Sequence, residues 1–514
     1  MGTLSSLTGA GSGGGGGDPQ ATFQAASNIS NGDLVALKAN GTVEPIYSTD
    51  NPADFTISND GTKVYASSTT YFAGPSCWAV HNEATDRYLF VRNEGGGNFY
   101  NQISQGTYDD STNEFTLQDS NQWSAKGSWL SSEPSPNNSY MFGYGDPSQG
   151  RVLVRGIYWN GSNYVVTSDT SFGYSTETYA VYCSANGFNS ADFTIASFST
   201  SNEFQCTHGT YVGTSTAPTN TTDSSNRKYT SAGGFWNTSV LSGINVQDDY
   251  HLFALKESSA QNMRLVMVQC NSTTTTFGSS LNLGVTESGA YPTSLAFDSV
   301  LKVGVLSFRG SNGKANYRAF SYDTSSLTVT DLGALTTNMD GNVCPVSFNK
   351  TARKFITVDQ DGGQVDMYSL AADGTQSTIE TGQVHPSASN MQLEMMHVFE
   401  RQGDNNMGVV FNAGTNPTSN YIDTGNHLYA TQFSVPYVDT NVDNYFGEAK
   451  EAITSGSAGA VAILNRTTDF AGSSFQKGQK LFANPSGSAL ATSGTYRVGY
   501  ATDGDTILVT GDPS

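Results

Sequence analysis

Two stretches of this chain can be laid over each other at a constant offset. Leu295-Ala-Phe297-Asp298 followed by Lys302-Val-Gly-Val-Leu306 matches Val346-Ser-Phe348-Asn349 followed by Lys354-Phe-Ile-Thr-Val358, and Phe297 and Phe348 stand 51 residues apart. A third strand-like run follows in each copy, Tyr317 to Tyr322 against Val365 to Leu370, and a fourth, Leu327 to Leu332 against Gln376 to Thr381. A chain that repeats itself must bury each unit against the next, because one unit of this size has no core of its own.

Weaker copies precede and follow this pair. One holds Trp78 to His81, Tyr88 to Val91, Phe99 to Ile103 and Phe115 to Leu117; the next holds Tyr140 to Phe142, Val152 to Tyr158 and Tyr164 to Val166. Others are Tyr179 to Cys183 with Phe193 to Phe198 and Phe204 to Cys206, Leu252 to Leu255 with Leu265 to Val268 and Leu281 to Leu283, and Met395 to Phe399 with Gly408 to Phe411 and Leu428 to Phe433. Four short strands recurring every roughly 40–50 residues are the signature of a propeller blade. The spacing predicts an all-β protein with about seven blades over residues 52–438. A β-helix would need shorter and stricter repeats. The segment Phe55 to Tyr65 either starts an eighth blade or supplies the strand that closes the ring. Only 13% of the residues are charged, while Gly, Tyr and Phe number 55, 26 and 27, a balance suited to short strands joined by polar turns.

The two ends read as one further β module. Ile29 to Val43 is a hairpin pattern around a turn, and Phe475 to Leu490 repeats its glycine spacing. Residues 21–51 and 439–514 are therefore assigned to a barrel-like or sandwich-like terminal module, with the propeller inserted into it. Residues 1–20, with the near-pure glycine run 11–17, read as an anchoring arm. Glycine loses the most entropy on being fixed, so an ordered arm needs a partner to hold it. Leu4 and Leu7 are its candidate contacts.

The net charge of −21 and the lack of a basic face exclude nucleic acid as a partner. No basic run precedes Lys38 and no apolar stretch reaches the length of a membrane span, so neither a secretion signal nor membrane insertion is expected. Five widely spaced cysteines without a CxxC pair predict buried thiols rather than a disulfide framework. The six histidines show no ligand spacing. Asp359-Gln-Asp361-Gly-Gly-Gln-Val-Asp366 lacks the full calcium loop and reads as a hairpin turn. No GxSxG or phosphate loop is present. The expectation is a chain without cofactor, metal or catalytic site, and not an enzyme, although a triad or carboxylate pair assembled in space leaves no local signature. The better candidates are aromatics predicted near blade edges, Trp123, Trp129, Trp159, Trp236, Tyr291 and Tyr421, which suit stacking on a sugar ring or anchoring a protein contact.

The terminal segments, IleSerAsnGlyAspLeuValAlaLeu over 29–37 and PheGlyGluAlaLysGluAla over 446–452 with the strands after it, resemble a module of tailed-bacteriophage virion proteins. The match covers about 25–50 and 445–512. The resemblance implies a structural virion protein, a head or tail fibre or a capsid decoration, assembled in the host cytoplasm and homo-oligomeric in the particle. Its partners would be other virion subunits, held through residues 1–51 and 439–514. The propeller would face outward, to bind a host surface glycan or protein or to protect the particle. The alternatives are a propeller enzyme acting on polysaccharide and a sugar-binding propeller lectin.

Overall fold

In the computed structural model the described residues of the long middle are 77–94, 100–131, 133–146, 150–174, 181–198, 203–220, 228–229, 241–257, 262–286, 293–383, 393–402, 406–413 and 427–435, less 113, 125, 340, 342–344 and 360–362; the described segments of 20–66 and 438–509 are named below. The chain divides into two compact units, 53–435 and a second made of 1–52 with 436–514.

The larger unit contains seven antiparallel sheets. Blade 1 runs Cys77–Asn82, Arg87–Glu94, Tyr100–Asp109 and Glu114–Ser124 from its inner to its outer strand. Blade 2 has Lys126–Leu130, Tyr140–Asp146 and Arg151–Trp159, with Tyr164–Val166 and Thr170–Tyr174 sharing the outer position. Blade 3 begins with Val181–Ala185, Asp192–Phe198 and Phe204–Thr210, and blade 4 with Leu241–Gln247, Tyr250–Lys256 and Asn262–Cys270. Blade 5 is Ser294–Asp298, Val303–Arg309, Ala315–Asp323 and Thr328–Ala334; blade 6 is Val346–Asn349, Lys354–Val358, Gln364–Tyr368 and Glu380–Gln383. Blade 7 is Leu393–Glu400, Asn406–Ala413 and His427–Ser434, completed by Thr62–Ala66 from before blade 1. Each inner strand touches the next, and that of blade 7 touches that of blade 1. This is a closed seven-bladed β-propeller, and the segment around Tyr65 is its closing strand rather than an eighth blade.

The sequence encodes the radial order. Val303–Arg309 is buried from Val303 to Phe308, because a second strand is covered on both faces by neighbouring blades. The outer Leu281–Thr286 buries only Leu283 fully. Between blades 4 and 5, Leu252, Leu265, Met267, Leu306 and Phe320 form one buried cluster; each such side chain stabilises the ring by roughly 1.5–3 kcal/mol on leaving water.

A polar device recurs at the ends of inner strands. Asn82, Asn186, Asp298 and Asn349 stand at or just after the last residue of theirs. Three of them cap the following turn: the side-chain oxygens of Asn82, Asp298 and Asn349 accept from the amides of Thr85, Val300 and Ala352 at 3.1, 2.9 and 2.6 Å. All four also bond the next blade. Asn82 Nδ2 donates to Tyr140 Oη at 3.1 Å, Asn186 Nδ2 to Cys270 O at 2.9 Å, and Asn349 Nδ2 to Asn406 O at 3.4 Å; Asp298 accepts from Arg353 Nη2 at 2.6 Å. The Asp and Asn of the sequence repeat are thus turn residue and inter-blade latch at once.

In the smaller unit, strands from both ends share a sheet in the order Gln20–Gln24, Ala458–Ile463, Tyr445–Ala449, Leu34–Leu37, Val43–Pro45. Ala25, Ile29, Val35, Val43 and Ile453 are its buried cluster. A second sheet joins Thr467–Asp469, Thr506–Val509, Arg497–Ala501, Lys480–Ala483 and Leu490–Ala491, and Tyr47–Thr49 pairs with Val438–Thr440. The arm 1–19, with Leu4 and Leu7, lies outside the described residues.

Candidate functional site

The loop 131–139 between the first two strands of blade 2 is proline-rich and folds back on itself. Ser135 and Ser139 exchange backbone bonds at 2.7 and 3.4 Å, and Ser139 Oγ donates to Pro136 O at 2.6 Å. Asn137 and Asn138 take φ of 60° and 55°, a left-handed conformation that asparagine tolerates better than most residues. The loop 211–218 of blade 3 lies against it. Gly213 has φ of +69°, and a Cβ there would sit 1.9 Å from Pro136 O, so only glycine lets the two loops meet. Asn137 Nδ2 donates to Val212 O at 3.1 Å.

Tyr211 fixes the second loop from beneath. Its amide donates to Ala191 O at 2.7 Å and its hydroxyl to Thr214 O at 3.0 Å. Its ring lies over Gly156 of blade 2. Between the loops and the end of Arg151–Trp159 is a cleft of about 500 Å³, lined by Asn137, Asn138, Tyr158, Trp159 and Gly213, Thr214 and Ser215. Trp159 is half-buried. Its indole centroid is 5.1 Å from that of Tyr164 and 5.9 Å from the Arg87 guanidinium carbon. Burial pushes the Tyr164 phenol up to about 12, against the lowering effect of Thr85 and Arg87, and burial with neighbouring Tyr158 raises Tyr211 further. Both hydroxyls are protonated donors at neutral pH.

Of the aromatics singled out in the sequence, Trp159 lines this cleft. Trp129 stands elsewhere: the reading near a blade edge gives way to a place in the inner strand of blade 2, with its ring 4.2 Å from Trp78 and 5.1 Å from Tyr182. It packs the ring, because an inner strand has neighbouring blades on both sides. Trp123 lies on the outer strand of blade 1 opposite Asn101, its side chain outside the described residues, as are Trp236, Tyr291 and Tyr421. Asn137, Asn138, Tyr158, Thr214 and Ser215 were not singled out in the sequence; the paired asparagines directly after Pro134 and Pro136 were the one available signal.

Three other polar clusters are accounted for by the fold. Asp169 accepts from Arg155 and from the Tyr144 hydroxyl; burial and that carboxylate hold the phenol well above its ordinary value, so Tyr144 is no base. His251 is enclosed, with Tyr182 Oη donating to its Nδ1 and Asn186 Oδ1 accepting from Nε2, both at 3.0 Å, and burial lowers its pKa to about 3. Across the ring from blade 2, Lys350 of blade 6 reaches Glu133 at 3.4 Å and Glu400 at 3.8 Å. Its partial loss of hydration works against its charge, and the two carboxylates still hold the ammonium above the usual lysine value. Asp359 and Gln364 flank the blade 6 hairpin, joined by a bond at 2.7 Å from Asp359 N to Gln364 O. Among the described residues no group of three or more His, Cys, Asp or Glu is placed to hold a metal ion.

No protein-family model and no curated protein matches this chain. Solved structures do resemble it. The BP39L lectin from Burkholderia pseudomallei is 10% identical, with a TM-score of 0.49 over 72% of this chain and 99% of that one. The polysaccharide lyase Uly1 is 9% identical, with a TM-score of 0.43 over 80% and 100%. The periplasmic gluconolactonase PpgL of Pseudomonas aeruginosa is 10% identical, with a TM-score of 0.43 over 71% and 96%. At this identity the likeness concerns the fold alone. It does correct one sequence expectation. A chain without a local catalytic signature was read as not an enzyme, yet structures of similar shape include a polysaccharide lyase and a periplasmic gluconolactonase. Propeller sites are assembled from several blades, so a missing linear motif is no ground for denying catalysis.

Proposed function

We propose that the propeller binds carbohydrate in the cleft between blades 2 and 3. The observation that carries this reading is the half-buried indole of Trp159 beside Tyr158, ringed by the side chains of Asn137, Asn138, Thr214 and Ser215. An aromatic face covers the C–H face of a sugar ring, while amides and hydroxyls, each with donor and acceptor atoms, match sugar hydroxyls. The cleft is shaped by two loops bonded to each other and backed by Tyr211, so little ordering opposes binding. The test is a glycan array probed with the whole chain, with turnover of every retained oligosaccharide followed in parallel. Retention of a defined set of glycans, reduced in Trp159→Ala and kept in Trp159→Phe, supports the reading. Retention of none, or retention indifferent to Trp159, refutes it.

A second reading concerns where the chain works. The segments that resemble the phage virion module, near 25–50 and 445–512, contribute strands to one shared sheet. That sheet supports a module that attaches the propeller to a bacteriophage particle through 1–51 and 439–514. Purified particles would contain the chain, and loss of residues 1–20 would abolish incorporation. Full incorporation without them would refute the arm as anchor.

A further inference from the structure

Resting on the carbohydrate reading of the same cleft, we infer that its ligand is a neutral sugar and that uronic and sialic acids are rejected. A carboxylate taken out of water needs a cation or several convergent donors to replace its hydration. None of the seven described residues that line the cleft carries a charge.

The cation seated beside Trp159 is Arg87, which is not one of those lining residues. The guanidinium carbon lies 5.9 Å from the Trp159 ring centroid, and Nη1 is buried from solvent. Arg87 therefore supports the indole, as does Tyr164, and both keep the ring in one orientation. The donors near the cleft are already committed in part. Asn137 Nδ2 bonds Val212 O, and Tyr211 Oη bonds Thr214 O. Thr214 Oγ1 accepts from Thr216 N at 3.4 Å, which leaves its own proton to give. What remains is a mixture of amide oxygens, amide protons and hydroxyls. That mixture fits hydroxyl groups, which donate and accept, better than an acceptor-only carboxylate, for which the amide oxygens have no use.

The field of the whole chain acts in the same direction. With a net charge of −21, an anionic sugar approaches against the potential. This long-range part is screened by salt, whereas the local mismatch in the cleft is not. The two contributions can therefore be separated.

The experiment compares uronic-acid oligosaccharides with the same oligosaccharides after carboxyl reduction. Binding to the whole chain is measured at about 0.15 M and about 0.5 M salt, where the Debye length falls well below the size of the cleft. The expected result is at least tenfold tighter binding of the reduced member of a pair, with most of the difference surviving at high salt. Arg87→Met, which loosens the Trp159 ring, weakens both members of a pair alike and leaves their ratio unchanged. Equal or tighter binding of the acidic member overturns the inference and leaves the carbohydrate reading standing. So does an acidic preference abolished by Arg87→Met. If no oligosaccharide of either kind binds, the carbohydrate reading itself fails, and this inference with it.

Discussion

The ring of Tyr211 lies on Gly156 of the adjacent blade so closely that a Cβ on Gly156 would stand 2.2 Å from it. Tyr211 in turn holds Thr214 through its hydroxyl. A single contact thus joins the packing of blades 2 and 3 to the wall of the cleft. Gly156→Ala must push the ring aside, and overpacking of this kind costs about 1–3 kcal/mol. We expect a lowered denaturation midpoint and, under conditions where the variant is folded, weaker retention of whatever the cleft binds.

The inter-blade latches differ in strength according to burial. The Asp298 side chain is 5% exposed and accepts from Arg353 and from the amides of Val300 and Leu301. Asp298→Ala leaves those donors unmatched and is expected to cost about 1–3 kcal/mol, with Asp298→Asn recovering part of it. Lys350 is 60% exposed despite bridging Glu133 and Glu400. Screening by water limits it, so Lys350→Met should change stability by about 1 kcal/mol or less. Urea denaturation of the three variants checks the order.

Much of this fold was legible in the chain. The 51-residue offset of Phe297 and Phe348 gave the blade, and the Asp298 and Asn349 that follow them are the latch positions. The inner strands of blades 2 and 4 were not legible. Lys126–Leu130 and Leu241–Gln247 carry glycines and polar residues where the other copies carry apolar runs, and at Gly243 a Cβ would come within 2.7 Å of Phe253 and Tyr182. The cleft was half legible. Trp159 stood out, but its companions at 137–138 and 213–215 come from loops far apart in sequence that only the ring brings together.

His251 makes stability depend on pH. Its folded pKa, about 3, lies below the unfolded value near 6.5, and burial is the cause. Above the unfolded value both states are neutral and nothing is lost. As pH falls from about 6.5 towards 3 the unfolded state takes up a proton that the folded state does not, and stability drops by about 1.4 kcal/mol per pH unit from this group. In His251→Gln the slope of stability against pH over this window should be shallower by that amount. Denaturation midpoints at a series of pH values measure it.

Cys183, Cys206 and Cys270 are buried thiols, none in a disulfide. Burial raises the Cys183 thiol far above its ordinary range, so almost no thiolate is present at neutral pH. All three should resist alkylation in the folded chain and react completely in denaturant. Mass spectrometry of the labelled peptides reads this position by position.

The account turns on Trp159, and calorimetric titration of an array-selected neutral oligosaccharide tests it most directly. Wild-type chain should bind at one site per chain. Trp159→Ala should weaken binding at least tenfold, about 1.4 kcal/mol, and Trp159→Phe should restore most of it. Equal affinity of wild type and a folded Trp159→Ala would contradict the account, since the ligand would then bind elsewhere on the propeller.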